Sequence, residues 1–355
     1  MQVYRRAAHP RYSAGRPVGA GAFFFRKEWV NTPAERTIQG RWALVPVRPA
    51  WSGRGWDRRQ GHAGEQHLRC PASEVPPPSP EDVMSFLTVN GTTLYYELRG
   101  KGPSLLFISG AVGDAGQWSA VADGLADEFT VLTYDRRANS RSPRPEGWST
   151  TTMDEQADDA AALVAALGLG PVAACGNSMG AIILTCLTLR FPEVVRGAVL
   201  HEPPLVAVSS APDVVAKAIE DVVAAGMAEG GPPAAVERFQ RWVAGDDAYE
   251  SFDPDFRARL LTDGEVLFGV EVTPALNYLP AARELAEVRV PCVVTSGADN
   301  RDPSAAGYWL FECCQWLAGQ LGVPVTETPG AHIPHLTHAP AFVDFLRPAL
   351  TSFGS

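Results

Sequence analysis

Gly176-Asn177-Ser178-Met179-Gly180 closes the apolar run Pro171 to Cys175 and opens the helix-like stretch Ala181 to Arg190. A strand that breaks sharply into a helix around G-x-S-x-G holds one serine hydroxyl proud of a sheet edge, where a base can reach it. The pentapeptide alone is common, and a Gly/Ser turn at a strand end is its bland reading. The flanks argue for more: Val172 to Cys175 suits a fully buried strand, and Ile182, Ile183, Cys186 and Leu189 recur at helical spacing behind the serine. Small residues two before and two after the serine let helix and strand approach around a strained turn.

Outward from this stretch, apolar runs alternate with helical patterns. Phe86 to Val89 and Thr93 to Leu98 flank Asn90-Gly91, a type I′ hairpin signal, so the sheet is expected to begin with an antiparallel pair. Strands are then expected at Ser104 to Ser109, Thr130 to Tyr134, Val172 to Cys175, Ala198 to His201, Pro291 to Thr295 and Val323 to Glu327. Helical patterns occupy Gln117 to Ala126, Met153 to Leu167, Ala181 to Arg190, Pro303 to Leu321 and Pro340 to Thr351. Such alternation implies right-handed crossovers and an α/β fold with a largely parallel sheet covered by helices on both faces. Working residues then gather at the carboxyl ends of the strands, where Ser178 lies.

One interval breaks the alternation. From about residue 205 to 285 the pattern is helical: Pro212 opens a helix with Val215, Ile219 and Val222 on one face, and Pro232/Pro233 open another with Val236, Phe239 and Val243. An insert after the sixth strand forms a helical cap over the serine. Trp242, Phe252, Phe256, Phe268 and Tyr278 are candidates for its underside, with the cap's own core as the competing place for each.

Charge divides the chain. Residues 1–83 carry 13 Lys+Arg against 7 Asp+Glu, a net of +6, which leaves −16 of the total −10 for residues 84–355. The first part has little periodicity and ends in Pro76-Pro77-Pro78-Ser79-Pro80, the composition of an extended or disordered extension, or of translated sequence upstream of a start at Met84. Function is expected wholly in residues 84–355. The acidic balance argues against general nucleic-acid binding, and no apolar run reaches the length of a membrane span. Six cysteines without metal-type spacing read as small buried hydrophobes in a reducing, cytoplasmic setting. Neither metal nor cofactor is called for.

A serine nucleophile needs a base, an acid to orient the base, and donors for the oxyanion. His9, His62 and His67 fall in the N-terminal part, and His201 ends a strand. Of His332, His335 and His338, His332 follows the last strand by a Gly-containing turn and can swing toward the sheet edge, whereas His338 precedes Ala339-Pro340 at the start of the last helix.

The order strand, serine, cap and late histidine resembles the α/β-hydrolase superfamily over about residues 85–353. Tyr134-Asp135-Arg136-Arg137-Ala138-Asn139-Ser140-Arg141-Ser142 is similar to the family's turn after the fourth strand, with Ala138 where glycine is usual, and Gly330-Ala331-His332 with Phe342 is similar to its histidine region. The resemblance implies an eight-stranded sheet, a cofactor-free serine hydrolase, and an oxyanion hole built from the backbone N–H groups of Met179 and Ala111. It leaves the acid open. The usual position after the seventh strand holds Asn300 within Gly297-Ala298-Asp299-Asn300-Arg301-Asp302, and a neutral amide cannot stabilise an imidazolium as a carboxylate does. Some members, zearalenone-type lactone hydrolases among them, take the acid from the end of the sixth strand, here Glu202 in Leu200-His201-Glu202-Pro203-Pro204. Glu202 is the first choice, ahead of Asp299 and Asp302. The expected substrate is a small, fairly apolar ester or lactone attacked by Ser178. Carbon–carbon bond hydrolysis or perhydrolysis by the same triad, and a binding module with an idle triad, are the rival readings.

Overall fold

The computed structural model describes residues 83–354 and, in the N-terminal part, an antiparallel hairpin of Phe23–Asn31 with Ile38–Pro46. The rest of the expectation for residues 1–83 lies outside the described residues.

Eight strands form one sheet: β1 (Val83–Val89), β2 (Thr92–Arg99), β3 (Ser104–Ile108), β4 (Thr130–Tyr134), β5 (Val172–Asn177), β6 (Val195–His201), β7 (Cys292–Gly297) and β8 (Val325–Thr328). Their spatial order is β1-β2-β4-β3-β5-β6-β7-β8. β1 and β2 pair antiparallel through the two-residue turn Asn90-Gly91, both residues with positive φ, 45° and 70°, as the hairpin signal requires. β2 also runs antiparallel to β4, and every later pairing is parallel. β1 begins at Val83, three residues before the expected run.

The central strands read as unbroken apolar runs because both faces are covered. Along β3, Leu105 and Phe107 face one layer, made by α1 (Ser119–Leu125) and the last helix α7 (Ala339–Ser352). Leu106 and Ile108 face the other, made by α2 (Met153–Ala166), α3 (Met179–Arg190) and α6 (Tyr308–Leu321). Thr152 caps α2 by accepting the Glu155 N–H at 3.0 Å, and the helix buries Ala157, Ala160, Ala161 and Val164, which recur at helical spacing along one face.

Between β6 and β7 the chain is helical. The long segment α4 (Pro212–Ala244) breaks at Gly230 and Gly231, the latter at φ 74°, so Pro232 and Pro233 stand at a fresh helix start. A turn later α5 (Pro254–Leu260) is capped by Asp253, and a further helical run passes through a π-turn at Leu267–Glu271. These elements roof the carboxyl edge of the sheet.

Candidate active site

Register places the site. β5 and β6 pair with Asn177 opposite His201, so the next residues, Ser178 and Glu202, leave adjacent strand ends side by side. The Ser178 N–H donates to His201 O at 2.9 Å, and the Glu202 N–H to Thr295 O at 3.1 Å. Both residues take positive φ, 56° at Ser178 and 45° at Glu202. Side chains in that region cost on the order of 1–3 kcal/mol, and such strain persists where the surroundings over-determine it. Here they do. A Cβ on Gly180 would lie 2.1 Å from Ile108 O, and one on Gly176 would lie 2.4 Å from Gly180 O. The pentapeptide is therefore glycine at both ends because helix α3 starts in contact with β3 and β5.

Beyond β8, Pro329-Gly330-Ala331-His332 returns to the same edge. Asn177 Nδ2 donates to His332 O at 2.7 Å, and the Asp299 N–H to Gly330 O at 3.0 Å. Gly297 lets that loop approach, since its Cβ would sit 2.5 Å from the carbonyl oxygens of Gly330 and Ala331. His332 and Ser178 share the wall of one cavity, and His332 Nδ1 is 2.8 Å from Glu202 Oε2.

Glu202 is fully buried. Its Oε1 accepts from Ser296 Oγ at 2.7 Å, the Gly297 N–H at 2.9 Å and Asn300 Nδ2 at 3.0 Å, while Oε2 takes Asn300 Nδ2 at 2.9 Å besides His332. Burial pushes this carboxyl up, but the hydrogen bond with His332, the neighbouring histidines and Asn300 outweigh it and draw the group down to about 2. Asn300 thus stands beside the carboxylate as its donor, seated by Gly307, whose Cβ would lie 2.0 Å from Asn300 Oδ1. Asp299 and Asp302 are exposed, and Asp302 caps Ser304 instead.

The remaining histidines part company. His201 is buried, bonded through Nδ1 to Thr295 Oγ1 at 2.9 Å, and burial lowers it to about 4. His335 stacks on Trp118 at 4.3 Å and burial holds it well below the ordinary range. His338 is exposed at the foot of α7 and bonds Thr337.

Opposite Ser178 lies the loop Ser109-Gly110-Ala111-Val112-Gly113. Ala111 and Met179 both line the cavity, and the Met179 N–H, at the first position of α3, has no carbonyl to meet within its helix. A Cβ on Gly110 would come within 3.2 Å of Ser178 Cβ, so glycine allows the loop to lie against the serine. Gln117 Nε2 braces the loop at Ala111 O and Val112 O, each 3.0 Å away. At Ala138, where the family resemblance leads one to expect glycine, the backbone keeps φ 60°, so the turn retains the left-handed geometry with an alanine.

The cavity measures about 310 Å³, the lower end of small-molecule sites. Trp242 and Phe256 of the cap line it, joined by Phe239, Leu267 and Leu276, whereas Phe252, Phe268 and Tyr278 pack into the cap and its seat. The periodic aromatic pattern could not separate these two groups. Gln240 also reaches the wall, a buried polar side chain that helical spacing did not single out.

A family profile described as alpha/beta hydrolase fold matches residues 103–242. The chain has the α/β-hydrolase fold. It is 40% identical over 119 residues to an uncharacterised hydrolase, YraK, of Bacillus subtilis (strain 168), a match covering 34% of this chain and 44% of that protein, so it spans less than half the length of that relative. It is 27% identical over 272 residues to a zearalenone hydrolase of Cladophialophora bantiana, covering 76% of this chain and 97% of the other. Among solved structures, the enol-lactonase of Burkholderia xenovorans LB400 superposes with a TM-score of 0.60 at 23% identity, over 75% of this chain and all of that one, a likeness of fold.

Proposed function

We propose that this α/β-hydrolase cleaves a small, fairly apolar carboxylic ester or lactone through an acyl-enzyme on Ser178. The observation that carries this reading is that Ser178, on its strained turn, shares one cavity wall with His332, whose other face is hydrogen-bonded to the buried Glu202. In the reaction Ser178 Oγ attacks the carbonyl while His332 takes its proton, and the Ala111 and Met179 N–H groups hold the oxyanion. His332 then returns the proton to the leaving alkoxide, and water repeats the cycle on the acyl-enzyme. Glu202, ionised at neutral pH, fixes the imidazole and stabilises its charged form.

The substrate class follows the lining. Apolar side chains dominate the wall; besides Ser178 and His332 the polar ones are Gln117, Asn177, Gln240 and Asn300, and among the described residues that line it there is no Lys or Arg to bind an acid group. The hydrolase of zearalenone and the enol-lactonase among the similar proteins support a lactone as one form of the substrate. A panel of p-nitrophenyl esters and apolar lactones tests the reading. Wild type is expected to hydrolyse members of the panel and to react with a fluorophosphonate at Ser178, and Ser178→Ala to lose both. Absence of labelling in a folded wild-type protein would remove the nucleophile from the account.

A further inference from the structure

We propose that Arg136 and Glu271 are positioning residues for the oxyanion hole, through which the cap sets the direction of the Ala111 N–H. The inference rests on the serine-hydrolase reading and adds a part to it.

The connection begins with one peptide group. The Gly110 carbonyl and the Ala111 N–H belong to the same planar trans unit and point in opposite directions, so whatever fixes the oxygen aims the hydrogen. Arg136 Nη2 donates to Gly110 O at 3.0 Å. This charge-assisted bond holds the plane and polarises it, making the N–H on the far side a better donor. Ala111 and Ser178 line the same cavity, and a Cβ on Gly110 would come within 3.2 Å of Ser178 Cβ, so this peptide lies beside the serine.

Arg136 is itself held from above. Its Nη1 lies 2.6 Å from Glu271 Oε1 and its Nη2 3.1 Å from Glu271 Oε2, a two-pronged pair with both side chains fully buried. Glu271 closes the π-turn Leu267–Glu271 of the cap, and turns of this kind recur at functional sites. Asn139 Nδ2 at 2.9 Å and Gln156 Nε2 at 3.2 Å complete the carboxylate's partners, and Gln156 Oε1 accepts from Arg136 Nη1 at 3.3 Å. Gly113 makes room for the guanidinium, for a Cβ there would sit 2.6 Å from Arg136 Nε, and its carbonyl accepts the Arg136 N–H at 2.8 Å. The chain of contacts therefore runs from the cap, through one arginine, to the carbonyl of the peptide whose N–H belongs to Ala111.

A buried ion pair by itself is weak evidence for stability, and apolar residues of similar volume often replace one without loss. That allows a separation of roles. In the full chain, the double variant Arg136→Met/Glu271→Met removes the tether without leaving a charge buried, and Glu271→Gln weakens the grip on Arg136 alone. With p-nitrophenyl butyrate, kcat is expected to fall about 10- to 100-fold in the double variant, somewhat less than outright loss of an oxyanion donor, and KM to stay within about threefold. Affinity for an aryl trifluoromethyl ketone, whose adduct puts an oxyanion in the hole, should fall in parallel, while affinity for the matching methyl ketone should not. Arg136→Lys, which can reach Gly110 O with a single donor, should recover part of kcat. A folded double variant with wild-type kcat, or a loss confined to KM with unchanged trifluoromethyl ketone affinity, overturns the proposal. Wild type inert to substrate and to fluorophosphonate alike would overturn the serine reading and this inference with it.

Discussion

Of the carboxylates buried near the carboxyl edge of the sheet, Glu202 and Asp263 are treated by their surroundings in opposite ways. Glu202, at the end of β6, is met by Ser296, Gly297, Asn300 and His332, and is drawn down to about 2. Asp263, in the cap, has one oxygen bonded by the Ser140 N–H at 2.8 Å while the buried Oδ2 has no protein partner. Burial pushes Asp263 up to about 7, and Glu271, Asp114 and Asp135 nearby add to the rise against the pull of the Ser140 hydrogen bond. Removal from water is common to both, so burial does not decide the outcome. The number and kind of donors aimed at the charge does.

The largest test of that contrast is the removal of charge at Glu202. Glu202→Gln is expected to lower kcat on the order of 10,000-fold on any ester that wild type hydrolyses, the scale of losing the acid of a triad. Asp299→Asn, altering an exposed side chain on the neighbouring loop, should leave kcat within about twofold. The reverse result would move the acid from β6 to β7.

Next comes Asn300→Asp. It replaces a donor to both Glu202 oxygens by a second carboxylate at 2.9–3.0 Å. Two carboxylates so close cannot both ionise freely, so one is held protonated to higher pH. A drop in kcat of about 10- to 100-fold is expected, together with an acidic limb of the kcat/KM profile displaced upward in pH. An unshifted profile would mean that the amide contributes nothing to the carboxylate's state.

Asp263→Asn should act on stability. A carboxyl whose folded value, about 7, exceeds its unfolded value of about 3.8 binds more protons in the native state. Its contribution is fully favourable below pH about 4 and is lost as pH rises to 7. Asparagine, with an oxygen for the Ser140 N–H and no charge to bury, should therefore raise stability at pH 8 by on the order of 2 kcal/mol and flatten the Tm profile between pH 4 and 7. Equal Tm gains at pH 4 and pH 8 would exclude ionisation as the cause.

The same contrast separates what the chain discloses from what it conceals. Strands, the Asn90-Gly91 turn and the serine's elbow were legible because their signals are local: period, turn residue and steric need lie within a few positions. Glu202 and His332 were legible as candidates because each stands at a strand end in a fixed chain order. Asn300 was visible as a departure from the family, but its part as donor to Glu202 depends on parallel register, which brings positions 202 and 296 to the same level. Arg136 was read as one more turn residue, for its partner lies 135 positions away in a segment whose helical pattern carries no mark of a π-turn. The aromatics of the cap failed for a related reason: a helix with two buried faces has one apolar period, and that period does not say which face meets substrate.

The Arg136–Glu271 pair also bears on modularity. Segments such as residues 205–285 invite exchange between relatives, with the sheet kept as a chassis for new specificities. On this sheet a transplanted segment without a carboxylate at the place of Glu271 would strand a guanidinium that is now fully buried, at a cost of about 3–5 kcal/mol. A successful chimera would have to bring its own acid, or be built on a sheet from which the arginine had first been removed.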